Sequence, residues 1–160
     1  MVSLELRPAG PGDGELLLRI YAGTRAQELA VLPLDDAAKA AFLRAQLTAQ
    51  SAAYDQNPGR SNRLVVVDGE PVGRLDVARG EREIMVLDIS LLPEHRGRGI
   101  GTAVLREVLD EAAAARKRVR IHVERSNPAL RLYRRLGFSE VADLGVYLRL
   151  EAAPYVKTAS

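Results

Sequence analysis

Between residues 91 and 112 the chain reads LLPEHRGRGIGTAVLREVLDEA, with glycines at 97, 99 and 101 set between an apolar run and an apolar-periodic one. No other stretch restricts the fold as strongly. Downstream, Val104, Leu105, Val108, Leu109 and Ala112 recur at helical spacing and mark one buried helix face. Upstream, EIMVLDISLL at 83–92 has the length and apolar density of a buried strand. A strand that enters a helix through glycines leaves the first helical N–H groups without acceptors, at the positive end of the dipole. Such a junction suits an anion. Glycine lets a phosphate approach the backbone, Arg96 and Arg98 add charge, and Thr102 adds a hydroxyl. For one glycine a tight turn with solvated arginines is the better reading; three alternating glycines favour a pyrophosphate.

Two familiar pyrophosphate loops do not match. A dinucleotide loop G-x-G-x-x-G needs glycine at 102 and finds Thr102, and no Gly-Lys-Ser/Thr follows a glycine at Walker spacing. What remains is an R-x-x-G-x-G arrangement over residues 96–101.

The rest of the chain reads as alternating strands and helices. Residues 3–7 (SLELR) alternate as a half-buried strand does, and Asp13 is placed to cap a helix starting at Glu15. Pro33 breaks that helix, and Asp35 opens a second one that runs to Asn57-Pro58-Gly59. Residues 63–67 and 72–77 flank Asp68-Gly69, a strong hairpin signal. Residues 119–124 form a strand, and 129–136 a helix that starts after Pro128 and stops at Gly137. Short strands near 138–142 and 146–150 complete the sheet, and 152–160 is a loose tail. The 160 residues fit one domain, 1–151.

At this point the chain resembles the GNAT family of acyl-CoA-dependent N-acetyltransferases, whose cofactor loop has the form Q/R-x-x-G-x-G/A between a strand and a helix. LDISLLPEHRG, VERSNPALRLYRRLGF and VDGEPVGRL are similar to the family's neighbouring segments in residue type and order. The resemblance covers residues 62–150 well, while helices 14–60 fall where the family varies with its substrates. It implies an α/β (α+β) acyl-CoA N-acyltransferase fold. That is a central, mixed, mostly antiparallel sheet of about six or seven strands, splayed at the acetyl-CoA cleft, with about four helices on both faces.

The resemblance also implies site residues. Strand, loop and helix 83–115 would bind acetyl-CoA: Ile89, Leu91 and Leu92 beside the pantetheine arm, and Arg96, Gly97, Arg98, Gly99, Ile100, Gly101 and Thr102 at the pyrophosphate. An N–H near Leu91 would serve as oxyanion donor. Tyr133 matches the tyrosine that protonates the leaving thiolate in many members; otherwise it would pack its ring and bond its hydroxyl to backbone. Asn127 either caps the following helix, bonds the pantetheine amide, or does both. No base is marked by sequence. Asp88, inside an apolar strand, and His122, inside the facing strand, are the two candidates; equally, Asp88 suits a carboxylate satisfied by an arginine, and His122 a half-exposed strand residue. Glu28 is the candidate contact for the acceptor's ammonium. A non-catalytic acyl-CoA-binding module and an enzyme acting on protein amino termini or lysines remain as alternatives, with a small amine acceptor preferred.

Composition narrows the partners. Twenty-three basic against 21 acidic residues is too balanced for a charge-driven nucleic-acid binder, so Arg116, Lys117, Arg118 and Arg120 read as a solvated helix end. There is no cysteine, and with only two histidines no metal is expected. No run approaches the roughly 18 apolar residues of a membrane span, and no signal core is present, so the cytoplasm is the expected compartment. The stripe Phe42, Ala45, Ala49, Ala52 reads as helix packing. Exposed apolar residues in that helix or in the tail would support a homodimer.

Overall fold

The computed structural model describes residues 3–153. In chain order its elements are β1 (Leu4–Pro8), α1 (Gly14–Ala30), α2 (Asp36–Tyr54), β2 (Arg60–Val67), β3 (Glu70–Arg79) and β4 (Glu83–Leu91). There follow α3 (Ile100–Ala114), β5 (Arg118–Glu124), α4 (Leu130–Arg135), β6 (Ser139–Asp143) and β7 (Tyr147–Ala152). The seven strands form one sheet in the order β1-β2-β3-β4-β5-β7-β6. Every neighbouring pair is antiparallel except β4 and β5, which α3 joins as a parallel crossover. This is the mixed, mostly antiparallel sheet with four helices expected from the sequence.

Strand alternation sorts the sheet into two faces. On one, Val65, Leu75, Val77, Val86, Ile121 and Val123 pack against Val104, Leu105 and Val108 of α3 and against Tyr133 and Phe138. On the other, Leu64 and Val66 meet Ile20 of α1, with Leu92. Arg74 and Asp76 alternate with Leu75 and Val77 along β3, so they lie on this second face, where α2 covers them. One face is therefore apolar at its centre, with Arg79 paired to Glu111 of α3 toward its edge, and the other carries buried charge.

Local chemistry explains the element ends. Asp68 and Gly69 both have positive φ, 50° and 82°, as a two-residue hairpin turn with the twist of its strands demands. The Asp35 carboxylate accepts from Ala38 N at 2.8 Å and starts α2.

Several expectations need correction. Asp13 does not cap α1 through its side chain; its carboxylate accepts from Gly10 N at 2.7 Å and from Arg7, because those donors lie closer in the turn before the helix. The helix opened by Asp35 ends at Tyr54, not at 57–59, and the helix expected over 129–136 is the shorter α4. The stripe Phe42, Ala45, Ala49, Ala52 does not pack: all four are exposed, Phe42 by 41%, and the buried side is Leu43 with the half-buried Gln46, Gln50 and Tyr54. That stripe would need an apolar partner for α2, whereas the sheet face beneath it presents Arg74 and Asp76. Strand β7 includes Ala152, assigned above to the tail, and residues 154–160 lie outside those described. Among the described residues no helix is long and apolar enough to cross a membrane. Of the basic cluster, Arg118 and Arg120 pair with Glu151, and Arg120 also with Glu83.

Candidate active site

The parallel pairing of β4 with β5 runs only from Glu83↔Arg118 to Val86↔Ile121, although β4 continues to Leu91 and β5 to Glu124. Beyond that point the strands part. A β-bulge at Leu87 assists, since the β3–β4 register shifts between Val77↔Val86 and Asp76↔Asp88. The Leu87 carbonyl is held from the other side by Tyr54 Oη at 2.9 Å. The gap becomes a cleft of about 370 Å³. Because it interrupts the sheet, side chains from opposite faces meet in it. Asp88 and Ser90 come from the α1/α2 face, and Tyr133 from the α3/α4 face.

Backbone geometry gives this gap open donors. Leu92 N donates to Val72 O at 2.8 Å, which makes Leu92 and Val72 a hydrogen-bonded antiparallel pair. Alternation then turns the N–H groups of Ser90 and Asp88 toward β3, and those of Leu91 and Ile89 toward β5, where no strand remains to accept them. An extended amide-bearing chain would find a strand edge there. Gly73 keeps β3 and β4 this close: a Cβ at 73 would collide with the Ser90 carbonyl oxygen and come within 2.6 Å of a Leu91 methyl.

The glycine junction is built in two ways. Gly97 and Gly99 have φ of 75° and 78°, which the backbone itself requires of glycine. Gly101 is different. It is inside the first turn of α3, its φ is not positive, and a Cβ there would meet nothing within 4 Å. Glycine costs a helix about 1 kcal/mol relative to alanine, and nothing in the fold calls for it at 101. Space kept clear over the first N–H groups of a long helix fits an anion from outside the chain. Thr102 follows on the same turn, and Ile100 turns its side chain into the core.

The sequence-predicted residues separate into those that reach the cleft and those that do not. Ile89, Asp88, His122, Asn127, Tyr133 and Glu28 all line it. Leu92 does not: its side chain is 2% exposed in the core, its N–H is bound to Val72, and its carbonyl accepts from His95. The chain turns at Leu92 and buries its side chain beside Ile20 of α1. Arg96 is engaged differently from expected. Its guanidinium donates to Leu91 O at 3.3 Å and to Gly23 O at 3.1 Å, fastening the loop to α1. Arg98 lines a second cavity, on the hairpin side of the junction, with Glu70 and His95.

The titratable groups differ in what they can do. Tyr133 is 5% exposed, and its ring meets Phe138 edge-on at 5.8 Å. Burial, reinforced by the charge of Asp88, pushes its hydroxyl up to about 12. Tyr54 has the same elevation, from burial and then Asp88, but its hydroxyl is tied to Leu87. Of the two, Tyr54 behaves as a structural tyrosine. Asp88 accepts Ser90 Oγ at 2.8 and 3.0 Å and lies 3.6 Å from Arg74, with 23% of its side chain exposed. Burial pushes its carboxyl above the usual carboxylate range, and Arg74 and Ser90 oppose that rise. His122 Nε2 accepts Arg149 Nε at 3.1 Å. Partial burial, then the charges of Arg149 and Arg120, hold the imidazole below its ordinary value, so it is neutral at pH 7. Glu28 is paired with Arg25 at 3.1 Å, and Arg25 stacks over Tyr21 at the cleft wall. Asn127 Oδ1 accepts Ala129 N at 2.8 Å in the turn ahead of α4, which leaves the side-chain amide N–H groups as its donors. Sequence reasoning missed Tyr21, Arg25, Gln50 and Tyr54, none of which stands in a motif, and Ser90, which lies inside LDISLLPEHRG.

Comparison with known proteins agrees with this architecture. An acetyltransferase of Thermus thermophilus superposes with a TM-score of 0.71 at 24% identity, over 94% of this chain and 97% of that one. The PaiA N-acetyltransferase of Thermoplasma acidophilum, solved with coenzyme A, gives 0.69 at 17% identity over 94% and 99%. Spermidine N-acetyltransferase of Vibrio cholerae, solved with CoA and spermine, gives 0.68 at 18% over 94% and 95%. No curated protein matches the sequence significantly. The model of the acetyltransferase (GNAT) domain matches residues 60–140, the segment from the first hairpin through the glycine junction to the strand after Tyr133. With the parted β4 and β5 and the open helix end both inside that segment, the chain belongs to the GNAT acetyltransferase family.

Proposed function

We propose that this protein transfers the acetyl group of acetyl-CoA to a primary amine of a small-molecule acceptor. Gly101 carries this most directly: a helix-start glycine that the fold does not need, beside a strand edge with free donors. The residues present fit the cosubstrate. The first N–H groups of α3, with Thr102, would hold its pyrophosphate, and the Ile89 and Leu91 backbone its amide-bearing arm. Acetyl-CoA supplies an activated acetyl thioester.

The acceptor enters as an ammonium and must lose a proton before its nitrogen can attack. Asp88 suits this better than His122, because it faces the cleft as a carboxylate whose basicity is raised by burial, while the His122 lone pair is engaged by Arg149. The Leu91 N–H, turned away from β3, would donate to the carbonyl oxygen as charge develops on it. Tyr133 Oη donates the proton that the departing sulfur takes up and is restored by the second proton that the attacking nitrogen releases as the amide forms; with its elevation to about 12 it is protonated across the working pH range before the reaction. Glu28, Tyr21 and Arg25 shape the acceptor end of the cleft. A polar lining with three carboxylates, Glu28, Asp88 and Glu124, favours a small cationic acceptor over an apolar one. We further take residues 1–151 as one catalytic domain.

Calorimetry with acetyl-CoA, CoA and NAD tests the proposal, followed by thiol release against an amine panel. CoA species should bind and NAD should not; because the protein has no cysteine, released CoA is the only thiol. Failure of acetyl-CoA to bind folded protein would overturn the acetyltransferase reading.

A further inference from the structure

Under the acceptor end of the cleft lies a set of charges that neither the family motif nor the reaction accounts for. Arg74 is 2% exposed and Asp76 is fully buried. Arg60 grips Asp76 with both arms of its fork, Nε to Oδ1 at 3.0 Å and Nη2 to Oδ2 at 2.6 Å, and its Nη1 meets the exposed Asp55. Arg74 Nη2 also reaches Asp76 Oδ2 at 2.6 Å. The other bonds of Arg74 go to neutral acceptors, Nε to Asn62 Oδ1 at 3.0 Å and Nη1 to Gln50 Oε1 at 3.1 Å. Neutral amides satisfy its N–H groups without cancelling its charge.

The partners of each guanidinium show what this arrangement can do. A guanidinium cannot shed its proton, and an uncompensated buried cation is strongly unfavourable. Two arginines share the one buried carboxylate of Asp76, and Arg60 holds it bidentately. The next carboxylate is Asp88, whose Oδ2 lies 3.6 Å from Arg74 Nη1. Arg60 has Asp55 as a second carboxylate partner at 2.6 Å, whereas the second carboxylate beside Arg74 is Asp88. We propose that Arg74 is a positioning residue that holds Asp88 as a carboxylate facing the cleft, fixing the negative charge on which acceptor binding and proton removal depend.

The other groups around Asp88 act against ionisation or weakly for it. Asp76 from β3 repels the charge, and Tyr54 from α2 and Tyr133 from α4 are neutral. Arg25 from α1 adds a smaller attraction, Ser90 donates a hydrogen bond, and His122 of β5 is neutral across the gap. Arg74 is thus the largest of the groups that favour the charged form.

The inference rests on the reading of Asp88 as the acceptor-side base, but its test needs neither acetyl-CoA nor an acceptor. Carboxyl-13C-aspartate labelling, with Asp88→Asn to assign the signal, follows the titration of Asp88 by NMR in the whole protein. In the unmodified protein Asp88 should be a carboxylate at pH 7. Arg74→Met leaves the Arg60–Asp76 pair intact and should move the Asp88 midpoint up by about a unit or more, roughly a tenfold loss of carboxylate in the window between the two midpoints. Arg74→Lys should restore most of the original value, a rescue that a merely space-filling role would not produce. An uncharged Asp88 at pH 7 in the unmodified protein would overturn the proposal even if Arg74→Met did not fold; so would a midpoint unmoved in Arg74→Met. Loss of the acetyltransferase reading would appear separately, as failure of acetyl-CoA to bind.

Discussion

The two faces of the sheet solve opposite problems. Against α3 and α4 it presents Leu75, Val77, Val86 and Ile121, and the contact is an ordinary apolar core. Against α2, one residue along the same strands, it presents Arg74 and Asp76, satisfied by Arg60, Asn62, Gln50 and Tyr54. Hydrophobic burial is non-directional and tolerates repacking, whereas a buried charge set works only with every member in place. The apolar face therefore holds α3 and its open N-terminus rigid, and the charged face sets the electrostatics of the cleft. The gap beyond Val86 and Ile121 is where the two meet.

The sharpest way to break this division is at the junction itself. Tyr133→Phe keeps the ring against Phe138 and removes only the hydroxyl. Acetyl transfer should fall by about 10²- to 10⁴-fold, the range for loss of a general acid, while calorimetric acetyl-CoA binding stays within a few-fold. An unchanged rate would remove Tyr133 from the chemistry and leave it a core residue of the apolar face.

Next in size come paired stability losses, one on each face. Asp76→Ala should cost about 3–5 kcal/mol, since Arg60 and Arg74 lose their shared partner in the interior. Leu105→Ala should cost about 2–5 kcal/mol through a cavity under α3. Chemical denaturation reads both. The contrast lies in repair: removing Arg74 together with Asp76 should recover part of the first loss, whereas no second deletion repairs the cavity. Additive losses in that double variant would show the charges to be independent.

A smaller effect separates binding from stability at the helix start. Gly101→Leu should raise helix stability by about 0.5–1 kcal/mol, because leucine is the better helix former and its Cβ meets nothing. The same change should weaken CoA binding roughly tenfold or more, about 1.4 kcal/mol. A variant that is more stable and binds CoA normally would mean that the space over the junction is not used.

Acidity supplies the last comparison. Asp88 has a raised folded-state value, so its ionised form is the strained one, and protonation stabilises the fold as pH falls through that value. Activity should go the other way. kcat/KM should drop on the acid side with Asp88, and Asp88→Asn should abolish that limb. Tyr133, at about 12, should contribute no alkaline limb below about pH 11.

The sequence by itself determined the apolar face and the cofactor-side motif. The period of Val104, Leu105, Val108 and Ala112, the Asp68-Gly69 turn and the glycines at 97, 99 and 101 are local patterns, and local backbone chemistry produces them. Tyr133 was legible only through its neighbours in NPALRLYRRLGF. The charged side of the cleft was not legible. The exposure of Phe42, the burial of Leu92 and the engagement of Arg96 with Gly23 each depend on which surface another element presents. Asp88 in an apolar strand was visible as an oddity, but its partner Arg74 was not, because the two come from different strands and meet only through cross-strand register. Only the tertiary structure decided the charged face: pairing a buried charge is a matter of distance in space, and no spacing along the chain encodes it.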